Sequence, residues 1–457
     1  MTSETLAAAV ARVGNPVELL RNQDWPSITF PIKPEFTNWR DEQRAWSSTV
    51  AIMDQSHHMT QLFLGGSDLI EILSGISPNT FATFRVGVAK QLIAVNHAGY
   101  LIGDGILFYN SDDREGLVLI GHHILIDWVR FNVEKAQGAG KDVHHRLEAN
   151  SAMRGAGNDP TFYRYELQGP EADKVMLKLW DSIPEVKFFH IADVEIAGKK
   201  VKALRHGMAG QPGFEFYGPY ADGPAIIDAL MEAGAEYDIR MVGAKAYSSS
   251  PLESGWVPTP FPAIWDDDFA EYRAWLPAAR AGSIGGSLSS TDVHDYQFTP
   301  FDLGLGKSVK FDHDFHGREA LEKIAAAPAR RKVTLLWNPE DVADVVKSQI
   351  EPGTPAKFLD FPKARYGFYQ MDVVEQGGKQ VGISTDAGYI AYDQLYMSLA
   401  TVDNAVEEGS VVEVVWGENP ISRKPQVDQN HRQVKIRATV APAPYHDYAR
   451  SVYRAND

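Results

Sequence analysis

Arg205-His206-Gly207-Met208-Ala209-Gly210-Gln211-Pro212-Gly213-Phe214-Glu215-Phe216-Tyr217-Gly218 is the stretch whose reading decides the fold. Upstream of it Val201 and Ala203 alternate with polar residues, as in a strand that runs into a turn rich in Gly and Pro. The chain then re-enters an aromatic strand with one carboxylate inside it. Alternation places Glu215 on the face opposite to Phe214 and Phe216. A carboxylate on a rigid strand beside a tight turn suits paired N–H donors of a flat heterocycle. Taken by itself, the pattern fits better with an edge strand that leaves Glu215 in water.

The chain has 457 residues, enough for two or three domains at roughly 100–200 residues each. A net charge of −16 argues against a general nucleic-acid binder, because phosphate contacts need clustered Lys and Arg. Cysteine is absent, which removes disulfides, thiolate metal sites, iron–sulfur clusters and cysteine nucleophiles together. No apolar run approaches the roughly 20 residues of a membrane helix, and the N-terminus shows no signal pattern. The expectation is a cytoplasmic protein without nucleic-acid or membrane partners.

In chain order, residues 4–13 read as a helix stopped by Gly14, residues 25–39 as an irregular arm, and 41–51 as a helix leading into a strand or turn at Ile52-Met53-Asp54. Two strand–Gly–helix units, one around Gly65-Gly66 and one around Gly169-Pro170, suggest an internal pseudo-repeat, with Pro170 as the first helical residue of the second. Strands are expected at 91–95, 101–109 and 117–120, then His122 and His123 followed by a helix to about Gln137, a hairpin about Ala197-Gly198-Lys199, and a helix over 225–234. Residues 243–265 carry Pro251, Pro258, Pro260 and Pro262 and read as a long loop of the kind that is often functional. A helix over 315–327 precedes strands at 333–337, 380–384, 395–401, 411–416 and 434–440. The expected division is an α+β region over 1–330, a β-barrel over 331–445 and a tail over 446–457. The adjacent histidine pairs 57/58, 122/123 and 144/145 point to opposite faces of a strand and cannot easily share one ion, so no metal is expected.

The segment from Arg205 to Glu215 resembles the pterin-binding segment of the folate-dependent aminomethyltransferase family, the T-protein of glycine cleavage and its relatives. Asn96-x-x-Gly99-Tyr100-x-x-x-Asp104, Gly243-Ala244-Lys245-Ala246 with Leu252-Glu253, and Phe311 to Leu321 resemble further segments of that family in the same order. Gly103 replaces a family aspartate and Pro251 a family arginine. Val17 to Asn22, Asp54 to Met59, Leu204 to Gly210 and Leu252 to Trp256 resemble the tetrahydrofolate-dependent aryl O-demethylases that act on vanillate and syringate. Relative to the vanillate enzyme, Phe30 stands for a tyrosine and His122 for an arginine suited to a substrate carboxylate.

The resemblance implies an α+β, multidomain aminomethyltransferase-like folate-binding fold with a C-terminal β-barrel. It also implies transfer of the methyl of a methoxylated aromatic acid to N5 of tetrahydrofolate. Glu215, Asp104, Trp256 and Arg205 would then hold the folate, with Asp104 near the reacting nitrogen. Tyr247 would be the acid for the leaving phenol, its acidity matched to that phenol at a pKa of roughly 10. Gln55 and His58 would orient the tyrosine and the substrate, and Phe30 and His122, its protonation state left open, would complete the substrate site. The alternatives are a chlorinated methoxybenzoate such as dicamba, an amine donor such as dimethylglycine, and a folate-binding scaffold without turnover. Scaffold members that serve iron–sulfur assembly bear a cysteine motif, which this chain lacks. Oligomeric state is left open.

Overall fold

The computed structural model describes residues 4–23, 31–149, 159–363, 366–418, 427 and 430–453. A six-stranded sheet takes its strands in the order Arg240–Val242, Ala51–Asp54, Phe162–Gln168, Gly213–Pro219, Lys199–Leu204, Ile191–Ile196. The strand with Glu215 lies inside this sheet and Glu215 is 0 % exposed, which corrects the edge-strand expectation. The alternation itself holds. Ile52, Tyr163, Tyr165, Leu167, Phe214 and Phe216 pack against the helices Ala172–Leu179 and Gly223–Gly234, which leaves Glu215 on the other face. The expected hairpin forms, with Ala197 and Gly198 both at positive φ (52° and 71°), as a tight two-residue turn requires.

A second sheet runs Ala89–Val95, Leu101–Tyr109, Leu117–Gly121, Thr60–Gly65, His144–Glu148. Leu62, Leu64, Leu107 and Leu119 share a core with the helix His123–Gly138. The opposite face offers Phe63, Phe108, Val118 and Ile120, which pack on Leu204 and Tyr217 of the first sheet. Phe108 and Tyr217 meet with ring centroids 5.4 Å apart, and Tyr217 Oη donates to Asn110 Oδ1 at 2.7 Å. The two sheets therefore face one another. Asp104, Ile106 and Phe108 alternate onto the face of one, and Glu215 and Tyr217 onto the face of the other.

The strand–Gly–helix units are found once in each sheet: Thr60–Gly65 into Leu69–Ile76, and Phe162–Gln168 into Ala172–Leu179. Gly66 and Gly169 both have positive φ. Pro170 is not the first helical residue, since Glu171 caps a helix that begins at Ala172.

From Arg330 to Ala441 six strands close a barrel in the order Arg330–Trp337, Leu395–Asp403, Lys379–Ile390, Asp372–Gln376, Val411–Trp416, Val434–Ala441. Val333, Leu335, Val374, Val402, Val414 and Ile436 are among the residues of its buried core. The strand Asp372–Gln376 was not anticipated, and neither were the helices Pro16–Asn22 and Pro339–Lys347. The helix expected over 41–51 is Trp39–Ser48. Among the described residues no helix is long and apolar enough to cross a membrane.

Candidate active site

The turn between His206 and Gly213 is bent over one side chain. Gln168 Oε1 accepts from Ala209 N–H at 2.9 Å, and its Nε2 donates to Gln211 O at 3.0 Å. A Cβ on Gly207 would lie 1.2 Å from Gln168 Nε2, and Gly210 and Gly213 sit at φ +63° and +144°. The glycine spacing is thus a steric demand of this turn. From the C-terminal tail Tyr453 Oη donates to Gly207 O at 3.0 Å.

Behind the turn lies a buried polar network on the first sheet. Arg164 Nε and Nη2 both donate to Glu215 Oε1, at 2.7 and 2.5 Å. Glu215 Oε2 is buried with no hydrogen-bond partner, and His206 Nδ1 stands 3.6 Å away. Burial alone would raise this carboxyl, but the charges of Arg164 and then His206 hold it down at about 2. Glu166, directly opposite Glu215 in register, accepts from Met208 N–H at 2.6 Å and from Gln55 Nε2 at 2.5 Å. Arg164 Nη2 also reaches Gln55 Oε1 at 3.4 Å.

Gln55 faces Tyr247, whose Oη meets His58 Nδ1 at 2.7 Å with the two rings edge to face. The adjacent His57 turns to Tyr220 instead, as two neighbours on an extended chain must. Burial raises the Tyr247 phenol well above its ordinary 10. This corrects the expectation of an acidity matched to the leaving phenol: Tyr247 is a weaker acid than that.

The expected loop over 243–265 holds two short helices, Ala244–Tyr247 and Ser250–Ser254. It carries Tyr247 to the first sheet and Trp256 to the second, where Trp256 Nε1 donates to Asp104 Oδ2 at 2.9 Å and Gln91 Nε2 to the same oxygen at 2.8 Å. Burial raises the Asp104 carboxyl above its ordinary range. Tyr247, His58, Gln55 and Glu215 thus come together, and Asp104 and Trp256 pair on the facing wall.

Two expected residues stand elsewhere. Arg205 Nη1 donates to Val186 O at 3.2 Å, so its guanidinium is turned to a neighbouring backbone carbonyl. His122 is the N-cap of the helix His123–Gly138. Its Nδ1 accepts from Ile124 N–H at 3.3 Å, and its ring packs on Phe368. Phe30 lies outside the described residues. A cleft of about 740 Å³ between Tyr100, Gln297, Arg330 and the barrel edge at Gln380–Ile383 has none of the expected site residues in its lining.

Arg164, Glu166 and His206 were missed. The signal was present in Tyr163-Arg164-Tyr165-Glu166-Leu167, which alternates in the same way as Phe214-Glu215-Phe216 and puts two polar residues on the face of Glu215. Glu166, His206 and Glu215 each bring one ligand-type atom to within 4.8 Å of the others, the one such group among the described residues. Arg164 already binds Glu215 there, so a metal cation would lie against a fixed positive charge.

Two facing sheets joined to a closed barrel define an aminomethyltransferase-type protein. The glycine cleavage aminomethyltransferase T of Bartonella henselae superposes with a TM-score of 0.59 over 94% of this chain and 96% of that one, at 17% identity, a likeness of fold. The model of the GCVT N-terminal domain matches residues 3–260, more than half of the chain, and the chain belongs to that family. Among its relatives, a syringate O-demethylase of a Sphingobium species is 42% identical over 99% of this chain and 98% of that protein. A sesamin methylene transferase of a Sinomonas species is 29% identical over 84% of this chain and 82% of that one.

Proposed function

We propose that this protein is a tetrahydrofolate-dependent aryl O-demethylase that takes the methyl of a methoxylated aromatic acid of the syringate or vanillate type. One observation carries the reading beyond family membership. A single buried network links Glu215, which has a spare carboxylate oxygen, through Arg164 and Gln55 to Tyr247. That oxygen suits the N–H donors of a pterin, and the bond is charge-assisted. Tetrahydrofolate, when bound, supplies the nucleophilic N5 that accepts the methyl.

The rest of the work belongs to this chain. Glu215 Oε2 and the turn over Gln168 orient the ring, and Trp256 fixes the Asp104 carboxyl. Asp104, kept out of water and raised by burial, takes the proton released at the nucleophile. Tyr247 Oη, held by His58 Nδ1, donates a hydrogen bond to the ether oxygen. Because Tyr247 is the weaker acid, it stabilises the charge developing on that oxygen and does not surrender its proton outright. Positioning of the methyl between donor and acceptor supplies much of the remaining rate.

The test is incubation with tetrahydrofolate and a panel of methoxybenzoates carrying labelled methyl. Label is expected in 5-methyltetrahydrofolate, with Tyr247→Phe slower by about 10²–10⁴-fold and its folate affinity kept. Label that never reaches the folate ends the reading. Full turnover by Tyr247→Phe removes the tyrosine from it.

A further inference from the structure

Glu166 is unused by the scheme above, yet it is as deeply buried as Glu215. The two sit opposite each other on neighbouring strands, so both leave the same face of the sheet. The nearby guanidinium binds Glu215 alone: Arg164 Nε and Nη2 end on Glu215 Oε1. Glu166 receives only neutral donors, Met208 N–H and Gln55 Nε2. Both cationic partners fall on Glu215, Arg164 by hydrogen bonds and His206 Nδ1 at 3.6 Å, and two buried carboxyls so unevenly served do not both ionise. The one bonded to the guanidinium keeps the charge and the other keeps its proton.

The titratable and charged groups facing Glu166 are Glu215 from the neighbouring strand, Arg164 from its own, His206 from the turn and Tyr247 from the loop. Burial first, and then the Glu215 charge, push Glu166 up to about 8. A neutral carboxyl in a core is no better for stability than an apolar side chain of the same size. Its place beside a buried carboxylate oxygen that accepts no hydrogen bond points to a ligand.

We propose that Glu166 is a second recognition group of the reduced-pterin subsite, a neutral carboxyl that donates its O–H beside the accepting carboxylate of Glu215. The proposal rests on the folate reading above. An ionised pair offers acceptors only, whereas a neutral–ionised pair offers one donor next to one acceptor. That matches an edge on which a ring N–H adjoins a carbonyl, the N3–H and 4-oxo edge of a 2-amino-4-oxopteridine. It mismatches a 2,4-diamino edge, where donor meets donor.

The experiment measures the dissociation constants of tetrahydrofolate and of its 4-amino analogue by calorimetry between pH 6.5 and 9.5, on wild type and on Glu166→Gln. In wild type the 4-oxo compound is favoured by about tenfold or more at low pH, the worth of one hydrogen bond to a buried partner. The preference shrinks as pH rises through about 8. Glu166→Gln keeps an N–H donor and cannot ionise, so its preference stays flat with pH. A wild-type preference that does not change with pH, or one that changes equally in Glu166→Gln, overturns the proposal. Tetrahydrofolate that fails to bind wild type at any pH is the separate result that overturns the folate reading, and this proposal falls with it.

Discussion

Glu215 and Glu166 lie on the same face of one sheet, yet they respond to pH in opposite ways. Glu215 is depressed to about 2, so its stabilising contribution is complete above the ordinary carboxyl value near 4.5 and is lost as pH falls from there through about 2. Glu166 is raised to about 8. The folded chain holds that proton after the unfolded chain has released it, so stability declines as pH rises from about 4.5 to about 8. Thermal melts across pH 5–8 are expected to show a flatter decline for Glu166→Gln than for wild type. Replacing Glu215 by Gln halves the acceptor capacity facing the pterin and removes the charge. Its folate dissociation constant is expected to rise about tenfold or more, read by calorimetry, and an unchanged constant would show that the ring is held elsewhere.

The catalytic loop owes its placement to the barrel. Lys363 Nζ donates to the carbonyl of Ser248, the residue after Tyr247, at 3.0 Å. Lys363 is itself held by a buried ion pair with Asp386. Asp386 has φ +42° at a bulge between Thr385 and Ala387, a strained position for a residue with a side chain. Gln43 from the helix Trp39–Ser48 joins the same loop to the barrel, with Nε2 on Ser249 Oγ at 2.7 Å and on Tyr389 O at 3.0 Å. Lys332 Nζ holds Gly255 O. Misplacing Tyr247 by a fraction of an ångström costs rate more than binding. Lys363→Met is therefore expected to lower kcat by about tenfold to a hundredfold with folate affinity unchanged, and Lys363→Arg to recover part of it. Equal losses in kcat and folate affinity would point instead to general loosening of the fold.

At the scale of the molecule, helix, loop, barrel and tail converge on Glu253. Its Oε1 accepts from Tyr392 Oη at 2.5 Å and from Trp46 Nε1 at 3.3 Å. His446 Nε2 of the tail lies 3.3 Å from Glu253 Oε2 and 2.9 Å from Asp393 Oδ2. Burial lowers the His446 pKa, but the bond to Asp393 and the Glu253 charge outweigh it and raise the imidazole above its ordinary 6.5. A histidine raised on folding stabilises fully below the unfolded value and loses that contribution as pH climbs through the folded one. The same tail sets Tyr453 over Gly207, so its hold bears on the pterin turn. Melting temperatures of wild type are expected to fall between pH 6.5 and 9 more than those of His446→Gln; parallel curves would show that the tail is not anchored by charge.

Local periodicity was enough to place Glu215 opposite Phe214 and Phe216, to find the hairpin at Ala197-Gly198, and to separate a strand-rich C-terminal part, because side-chain direction in a strand depends only on the chain's own alternation. Resemblance supplied the family and the residues Tyr247, His58, Gln55 and Asp104. The sequence by itself did not show that the Glu215 strand is interior, that Arg164 and not Arg205 meets Glu215, or that Glu166 stands beside it without a cation of its own. Each of these depends on which strands, far apart in sequence, become neighbours. Burial and charge pairing are properties of that neighbourhood, so the protonation states on which the chemistry depends were decided only when the sheets closed.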